Sequence, residues 1–591
     1  MTIWHILNQN ESKMAMKNIT YKVPKNDREV FVDPSIERIP DLIHENRQKI
    51  RNYQFEMNGV PFQALRDKTR EDLLRMAANY TEGIKSLFQR NRHGQCLYMR
   101  DGVQRNSSFH RTQSKLSSKG MDMDYETIKN ISIIQTGHEP ILYYPGVWIK
   151  NHLAQYLASK MGGIGVNMIV DNDACNTGFM YVPMLSEKPA TIQKVALIKD
   201  KNNVAYEEIV FGDPGTIHQF KEEVLNLLKK NILDEKTKTI VESMQSTFEE
   251  FINRIAECYH KGCVDMVGLL TAARCAMELD FCIGNLEIPV SWICNTDGFY
   301  HFLLHIIHEA ERFAKIYNGK LSEYRCIHKI RSKANPLPDI KTIGNLVELP
   351  FWIWKSGGSR MKCYMMREGQ SIRITDGEDV FVTLGKSEEV ENNISRLKAL
   401  KESRIKIRPR AITTTMFSRL LFSDVFIHGI GGARYDTITD EIIKEFFGIN
   451  PPAFIMSSAT LFLPFDTFNL NWRTLQVLQH EFRDMGYNPE RYASKETQGD
   501  VKFINRINEK KRLLEMMTVC GKEEKRHYFN QIKELNKLNL IRIDTEVQRK
   551  RKEIETVRER LVYNETVQFR EYPVCIYPTK VLRDYILGVF S

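Results

Sequence analysis

Ile131-Ser132-Ile133-Ile134-Gln135 is a β-branched run, and Thr136-Gly137-His138-Glu139-Pro140 directly after it reads as a turn. A helical run opens at Pro145, and a second apolar run, Ile164 to Val170, ends in Asp171-Asn172-Asp173. Strand, helix, strand in that order is a βαβ unit. Parallel strands need such a crossover, so the unit commits the chain to an α/β sheet. It also places ligands at the carboxyl ends of its strands.

Polar residues gather at both of those ends. Backbone amides at a helix N-terminus favour anions, and Gly137 lets a ligand come close. His138 can donate a hydrogen bond or a proton. The bland alternative is a turn shaped by Gly and Pro with a solvated histidine. Asp171 and Asp173 could hold a divalent metal through oxygen, or orient an amine or hydroxyl. His138, Asp171 and Asp173 are therefore the candidate catalytic groups. Thr136, Gly137, Glu139 and Asn172 are candidate ligand contacts.

Strand and helix alternate again further on. Residues 215–282 form a helical block in which Phe220, Val224, Leu225, Leu228 and Ile232 share one stripe. Glu287 to Ile293 reads as a buried strand, Asn295-Thr296-Asp297 as a cap, and a helix follows from Gly298 to about Asn318. The helical block thus interrupts the sheet as an insertion. A β-rich patch runs from Val347 to Leu384, with a hairpin turn at Ser356-Gly357-Gly358. After Arg408-Pro409-Arg410 come a helix over 411–422, a strand at Val425-Phe426-Ile427 and the turn His428-Gly429-Ile430-Gly431-Gly432. Another helix opens near Tyr435-Asp436, and Ala453 to Met456 is a further strand.

That glycine turn has the character of a phosphate-cradling loop, without being a dinucleotide fingerprint or a Walker motif. Arg408, Arg410, Arg419 and Arg434 bracket it, and arginines beside a glycine loop suit carboxylate or phosphate recognition. A structural hairpin with surface arginines is the alternative. Arg408, Arg410, His428, Gly429, Gly431, Gly432, Tyr435 and Asp436 join the candidate ligand contacts. His301, His305 and His308 share a helix face that could ligate zinc, but apolar neighbours make them as readily its polar side. No metal ligand is assigned.

The tail differs from the rest. Leu540, Val547, Ile554 and Leu561 recur every seven residues, Ile543 and Val557 fill the positions between, and Lys550 interrupts the seam. A helix from 525 to 569 would be about 65 Å long. Residues 498–519, turned at Gly521, form an antiparallel partner that covers about half of it. Apolar positions beyond that partner would stay exposed, and from this a homodimer is expected. An ordinary amphipathic helix packed on the core is the alternative.

Composition narrows the class. The net charge is +10, but residues 501–560 carry 17 Lys and Arg against 10 Asp and Glu, so a general nucleic-acid surface is weakly supported. No apolar run reaches the roughly 18 residues a bilayer span needs. The eleven cysteines are irregularly spaced without a Cys-x-x-Cys pair, which suggests reduced thiols and a cytoplasmic setting. The N-terminus lacks the features of a secretory signal, and residues 1–15 are expected to be unstructured.

Together these segments resemble the cysteine-adding enzyme family of bacillithiol biosynthesis. That family has a strand, a Thr-Gly-Gln-Gln-type turn, a helix and a strand ending in acids. The counterpart here is Thr136-Gly137-His138-Glu139-Pro140 followed by Asp171-Asn172-Asp173. It then has an Arg-Pro segment, a helix, a short strand and a Gly-Gly turn leading to an acidic residue and Tyr. Arg408-Pro409-Arg410 through Gly431-Gly432-Ala433-Arg434-Tyr435-Asp436 has that shape. Its coiled coil is followed by a segment like Gln568-Phe569-Arg570-Glu571-Tyr572. The likeness in order and spacing covers roughly 130–590. It departs at His138, where the family carries Gln, and after Asp173, where Ala174-Cys175 replace a His-Asp pair. The first 120 residues and the patch around Trp352–Trp354 have no counterpart.

The resemblance implies a Rossmann-like nucleotidylyltransferase-type core, a helical insertion and a C-terminal antiparallel coiled coil. It implies a ligase that joins cysteine to a sugar-malate acceptor. The expected layout is an N-terminal region at 1–125, a first α/β part at 126–214, the insertion at 215–284 and a second part at 285–485 with its β-rich patch near 345–385. A coiled-coil hairpin at 486–570 and a segment at 571–591 returning to the core complete it. The expected partner is a small-molecule substrate, and the cofactor stays open with a nucleotide as the candidate. A metal-dependent nucleotidyl- or glycosyl-transferase, and a non-catalytic ligand-binding coiled-coil dimer, are the competing readings.

Overall fold

A computed structural model describes residues 23–88, 125–175, 178–198, 203–386 and 388–590. The expectation for residues 1–15 lies outside the described residues. Along the chain, β1 (Val30–Asp33) precedes a small hairpin of β2 (Glu56–Met57) and β3 (Val60–Pro61). β4 (Ile133–His138) and β5 (Ile164–Ile169) flank the helix Pro145–Met161, and β6 (Phe179–Met184) pairs with β7 (Thr191–Ala196). β8 (Leu286–Pro289) follows three helices, Gly215–Lys229, Glu235–His260 and Met266–Leu279. A second sheet takes β9 (Thr342–Ile343), β10 (Leu346–Lys355), β11 (Met361–Glu368), β12 (Ser371–Thr375), β13 (Val380–Gly385) and β14 (Ile405–Pro409). β15 (Val425–His428) and β16 (Ile455–Ala459) return to the first.

The first sheet has the order β1-β16-β15-β4-β5-β8. Its last five strands are parallel, and β1 closes the edge antiparallel to β16. The chain builds outward from β4 through β5 to β8, then crosses back to lay β15 and β16 on the other flank of β4. Numbered in chain order, the parallel strands read 3-2-1-4-5, and the direction of winding reverses between β4 and β15. The second sheet is antiparallel, in the order β13-β12-β11-β10-β14.

Both sheets share one core. Ile133, Val166 and Met168 from the first pack in the same buried cluster as Leu349, Phe351, Ile353 and Met365 from the second. Phe302 and Phe417 join that cluster, their rings 5.6 Å apart. The β-rich patch is therefore built against the parallel sheet, and its far side from solvent faces the strand ends.

The N-terminal region proves integral to the core. Helix Phe62–Phe88 sends Arg66 and Arg70 inward, where both meet Asp424 at 3.1 and 3.2 Å. Asp424 also accepts the Ile133 amide at 2.9 Å. A buried carboxylate shared by two guanidiniums locks this helix beneath β4 and β15. Removing one member of such a group strands the other charges at a cost of about 3–5 kcal/mol.

Some elements depart from expectation. β4 runs through Thr136-Gly137-His138, because Gly137 and His138 pair with Met168 and Ile169 of β5 and the ladder extends the strand through the expected turn. The segment expected as a glycine turn is helical: Gly429 is the N-cap and the helix spans Ile430–Phe447. The helix expected from Gly298 is two, Asp297–His308 and Ala310–Ile327. Among the described residues nine cysteines are free thiols, six of them buried. Cys282 is disulfide-bonded, against the expectation of reduced thiols throughout.

The tail helix breaks at Ile543 into Lys522–Arg542 and Asp544–Val567. Val501–Val519 lies antiparallel to the first half, joined through Arg506 to Asn539 and Arg542 to Asp500. The second half has its own partner, Trp472–Tyr487, with Trp472 donating to Glu565 and Lys550 paired to Glu481. Val557 and Leu561 bury against Leu475 and Leu478, with Ile554 packed beside them. The apolar positions on which the homodimer expectation rested are thus covered inside the chain. In the final segment Tyr572, Ile576 and Tyr577 are buried.

Candidate functional site

A cavity of about 320 Å3 opens where β4, β5 and β15 end, roofed by the second sheet. Gly137, Met168 and Val170 form its floor with Phe426 and His428, while Asn172 and Asp173 stand on one side. Trp352, Arg360, Lys362 and Arg410 come down from the antiparallel strands and their edges. The cavity therefore sits at the reversal of strand winding, where open α/β sheets leave a crevice.

Its cations are arranged around one indole. The guanidinium of Arg410 lies 4.3 Å and that of Arg360 4.7 Å from the Trp352 ring centre. Arg410 and Lys362 both hold Glu348, at 2.8 and 3.1 Å, and this carboxylate is fully buried. Arg360 donates to the Asn172 carbonyl at 3.0 Å and to Asp173 at 2.8 Å. Three cations thus share two carboxylates, leaving a positive excess. Asn172 reaches the Pro409 carbonyl at 2.7 Å and so ties the β5 end to the β14 end.

Several polar atoms here lack partners. Arg410 Nε and Nη2, Arg360 Nε and Asn172 Oδ1 are buried without a hydrogen bond. So are both side-chain polar atoms of Gln135, two residues before Gly137 on the same strand face. Unpartnered buried polar groups are rare in folded proteins. Those of Arg410, Arg360 and Asn172 belong to residues that line this cavity.

His428 is the group on the floor that can move a proton. Its Nε2 lies 2.7 Å from Asp436 Oδ2. Asp436 is held in turn by Arg419 at 2.8 Å and by the Thr415 hydroxyl at 2.7 Å. Burial alone would raise the Asp436 carboxyl, but His428 and Arg419 beside it outweigh that and hold it well below the usual range. Asp436 is thereby fixed as an anion beside the His428 ring. The ring is seated between Phe426 and Phe454, with centroids 4.5 and 5.2 Å away.

The structure sorts the candidates expected from sequence. Gly137, Asn172, Asp173, Arg410 and His428 meet at this cavity, and Asp436 stands behind His428. Thr136 and His138 point to the other face of β4: Thr136 donates to the Ile427 carbonyl, and His138 packs edge-on against Tyr143. Side chains alternate along a strand, so extending β4 past the expected turn puts His138 opposite Gly137. Burial and the nearby Lys150 push His138 down to about 3, so it is neutral across the physiological range. Glu139 is reached by the Tyr206 hydroxyl at 3.3 Å, away from the cavity.

Asp171 and Asp173 do not act as a pair. Both oxygens of Asp171 accept from Ser291, at 2.9 Å from the amide and 2.5 Å from the hydroxyl. Asp171 lines a separate cavity of about 520 Å3 with Glu207. Burial, reinforced by the Glu207 charge, pushes its carboxyl up to about 7. Arg408 is likewise elsewhere, forking onto Glu207 at 2.8 and 3.0 Å. Gly429, Gly431, Gly432 and Tyr435 belong to the cap and first turns of helix Ile430–Phe447 and do not line the cavity.

Neither of the metal options stands on this geometry. Among the described residues, the group able to share a cation is Cys275, Glu278 and Glu287. Arg274 already fills that role, 2.6 Å from each glutamate. His301, His305 and His308 do not converge, and His305 lies against Phe446 and Phe447. Sequence reading missed Arg360, Lys362 and Trp352, since nothing local shows that the antiparallel sheet faces the β4 end. The Trp352–Trp354 pair beside basic residues was the one available signal. No protein-family model and no curated protein matches the sequence.

Proposed function

We propose that this protein is a small-molecule ligase or transferase whose acidic substrate occupies the cavity at the ends of β4, β5 and β15. The observation that carries the reading is the convergence of Arg360, Lys362 and Arg410 with an Asp436-held His428 on one crevice. Guanidinium forks suit carboxylate and phosphate groups. A histidine set beside a fixed carboxylate on the cavity floor suits removal of a proton from an attacking amine or thiol. The strand order 3-2-1-4-5 is that of Rossmann-like sheets that bind nucleotides, which supports the core expected from the resemblance. On that resemblance the acid would be the malate portion of a sugar-malate acceptor, and the joined amino acid would be cysteine.

Calorimetric titration with L-malate, and turnover with cysteine and a glucosaminyl malate, test the proposal. Binding of malate should weaken about tenfold or more in Arg410→Met, the size of one lost charge-assisted hydrogen bond. His428→Gln should keep malate binding and lose turnover. Equal malate affinity in Arg410→Met and the wild type would reject the cavity as the acid site.

A further inference from the structure

A third cavity, of about 330 Å3, adjoins the one lined by Asp171, with which it shares Glu207, Ser291 and Trp292. Lys401, Arg404, Lys406 and Arg408 line it, together with Trp292 and Tyr300. Two of the cations are spent. Arg408 forks onto Glu207, and Lys406 pairs with Glu207 at 3.0 Å and Glu208 at 2.6 Å. The other two are not: among the described residues neither Lys401 nor Arg404 forms an ion pair.

Arg404 is held in an unusual way. Its φ is +58°, the left-handed region that side chains other than Gly and Asn rarely adopt, at a cost of about 1–2 kcal/mol. Its carbonyl accepts the Ser356 amide at 2.8 Å, which pins this turn to the β10–β11 hairpin. The backbone thus fixes the Arg404 turn beside Lys401, at the mouth of a cavity whose floor carries Lys406 and Arg408. Glu207 and Glu208 neutralise the floor, so the surplus positive charge sits at the mouth. The half-exposed ring of Trp292, edge-on to Tyr80 at 5.0 Å, forms a flat wall next to it.

We infer that this cavity is a second, separate anion site, which takes a phosphate-bearing small molecule at Lys401 and Arg404. Uncompensated cations on rigid backbone beside a flat aromatic wall fit a phosphate group, free or carried on a ring. The inference does not depend on the function proposed above, because no residue is shared between the two cavities.

Titration of the full chain with inorganic pyrophosphate tests it. The double variant Lys401→Ala, Arg404→Gly changes two exposed side chains, and glycine is at ease at φ +58°, so folding should be retained. Pyrophosphate binding should weaken about tenfold or more in it, and the wild-type affinity should fall as salt rises. Unchanged affinity in this variant overturns the site. So does a loss that appears in Arg410→Met alone, because the anion would then sit in the first cavity. AMP identifies the carrier: a gain over phosphate that Trp292→Ala removes places a ring on the indole, and equal binding assigns the site to the phosphate itself. Both of these last results keep the site.

Discussion

Two aspartates separated by a single residue, Asp171 and Asp173, end in opposite electrostatic situations. Asp173 is half-exposed and answers Arg360, whereas Asp171 is buried on Ser291 beside Glu207. With a folded value near 7 and an unfolded one of about 3.9, Asp171 keeps a proton in the folded state that the unfolded chain has released. Stability from this group therefore falls as pH rises from about 4 to about 7. Asn cannot ionise and has the same shape. The melting temperature of Asp171→Asn relative to the wild type should thus climb between pH 4 and 7 and level off above, by at most a few kcal/mol in stability. A flat difference between the two melting curves across that range would show that Asp171 is ionised in the fold. The acidic motif was legible as a strand end, but its division between two cavities was not. Which partner each carboxylate meets depends on Ser291 and Arg360, 120 and 187 residues away.

At the scale of the element, the helix Ile430–Phe447 positions the proton-moving group. A Cβ at Gly432 would come within 2.9 Å of His428 Nδ1. The ring cannot swing away freely, being seated between Phe426 and Phe454 with Asp436 2.7 Å from its Nε2. Gly432→Ala should gain up to about 1 kcal/mol of helix propensity and lose a comparable amount to the displaced ring. We expect a melting temperature near that of the wild type, an altered His428 ring resonance in NMR, and impaired turnover. An unmoved resonance would mean the helix start yields instead of the ring. The glycines of this segment were visible in the sequence, yet their purpose was misread. They admit the histidine ring to the first helical turn, where a phosphate loop was expected. The βαβ unit, by contrast, was readable to within a few residues, because β-branched strands and a crossover helix are encoded by local period. The second sheet was readable as strands only; its docking over the β4 end is a long-range fact, and with it went Arg360 and Lys362.

At the scale of the whole molecule, the tail shows how a heptad seam can be satisfied without a second chain. Leu540 and Val547 pack with Phe503 and Ile543, while Val557 and Leu561 pack with Leu475 and Leu478. The helix breaks at Ile543 and restarts at Asp544, and its distal part packs against Trp472–Tyr487. The seam was legible from its seven-residue period, and Lys550 marked the place where it weakens, but the helix at 472–487 was not seen as a partner. That residue is now explained, since its ammonium is held by Glu481 at 3.0 Å and Glu553 at 2.8 Å. Leu561→Asp should therefore act within one chain. A charge at this buried position has no partner, and the variant should lose about 3 kcal/mol or more through lost packing and desolvation. The loss should be seen as lower helical content and earlier urea unfolding. The mass of the folded protein in light scattering should equal that of the wild type at the same concentration. A folded variant of half the wild-type mass would instead place Leu561 at an interface between two chains.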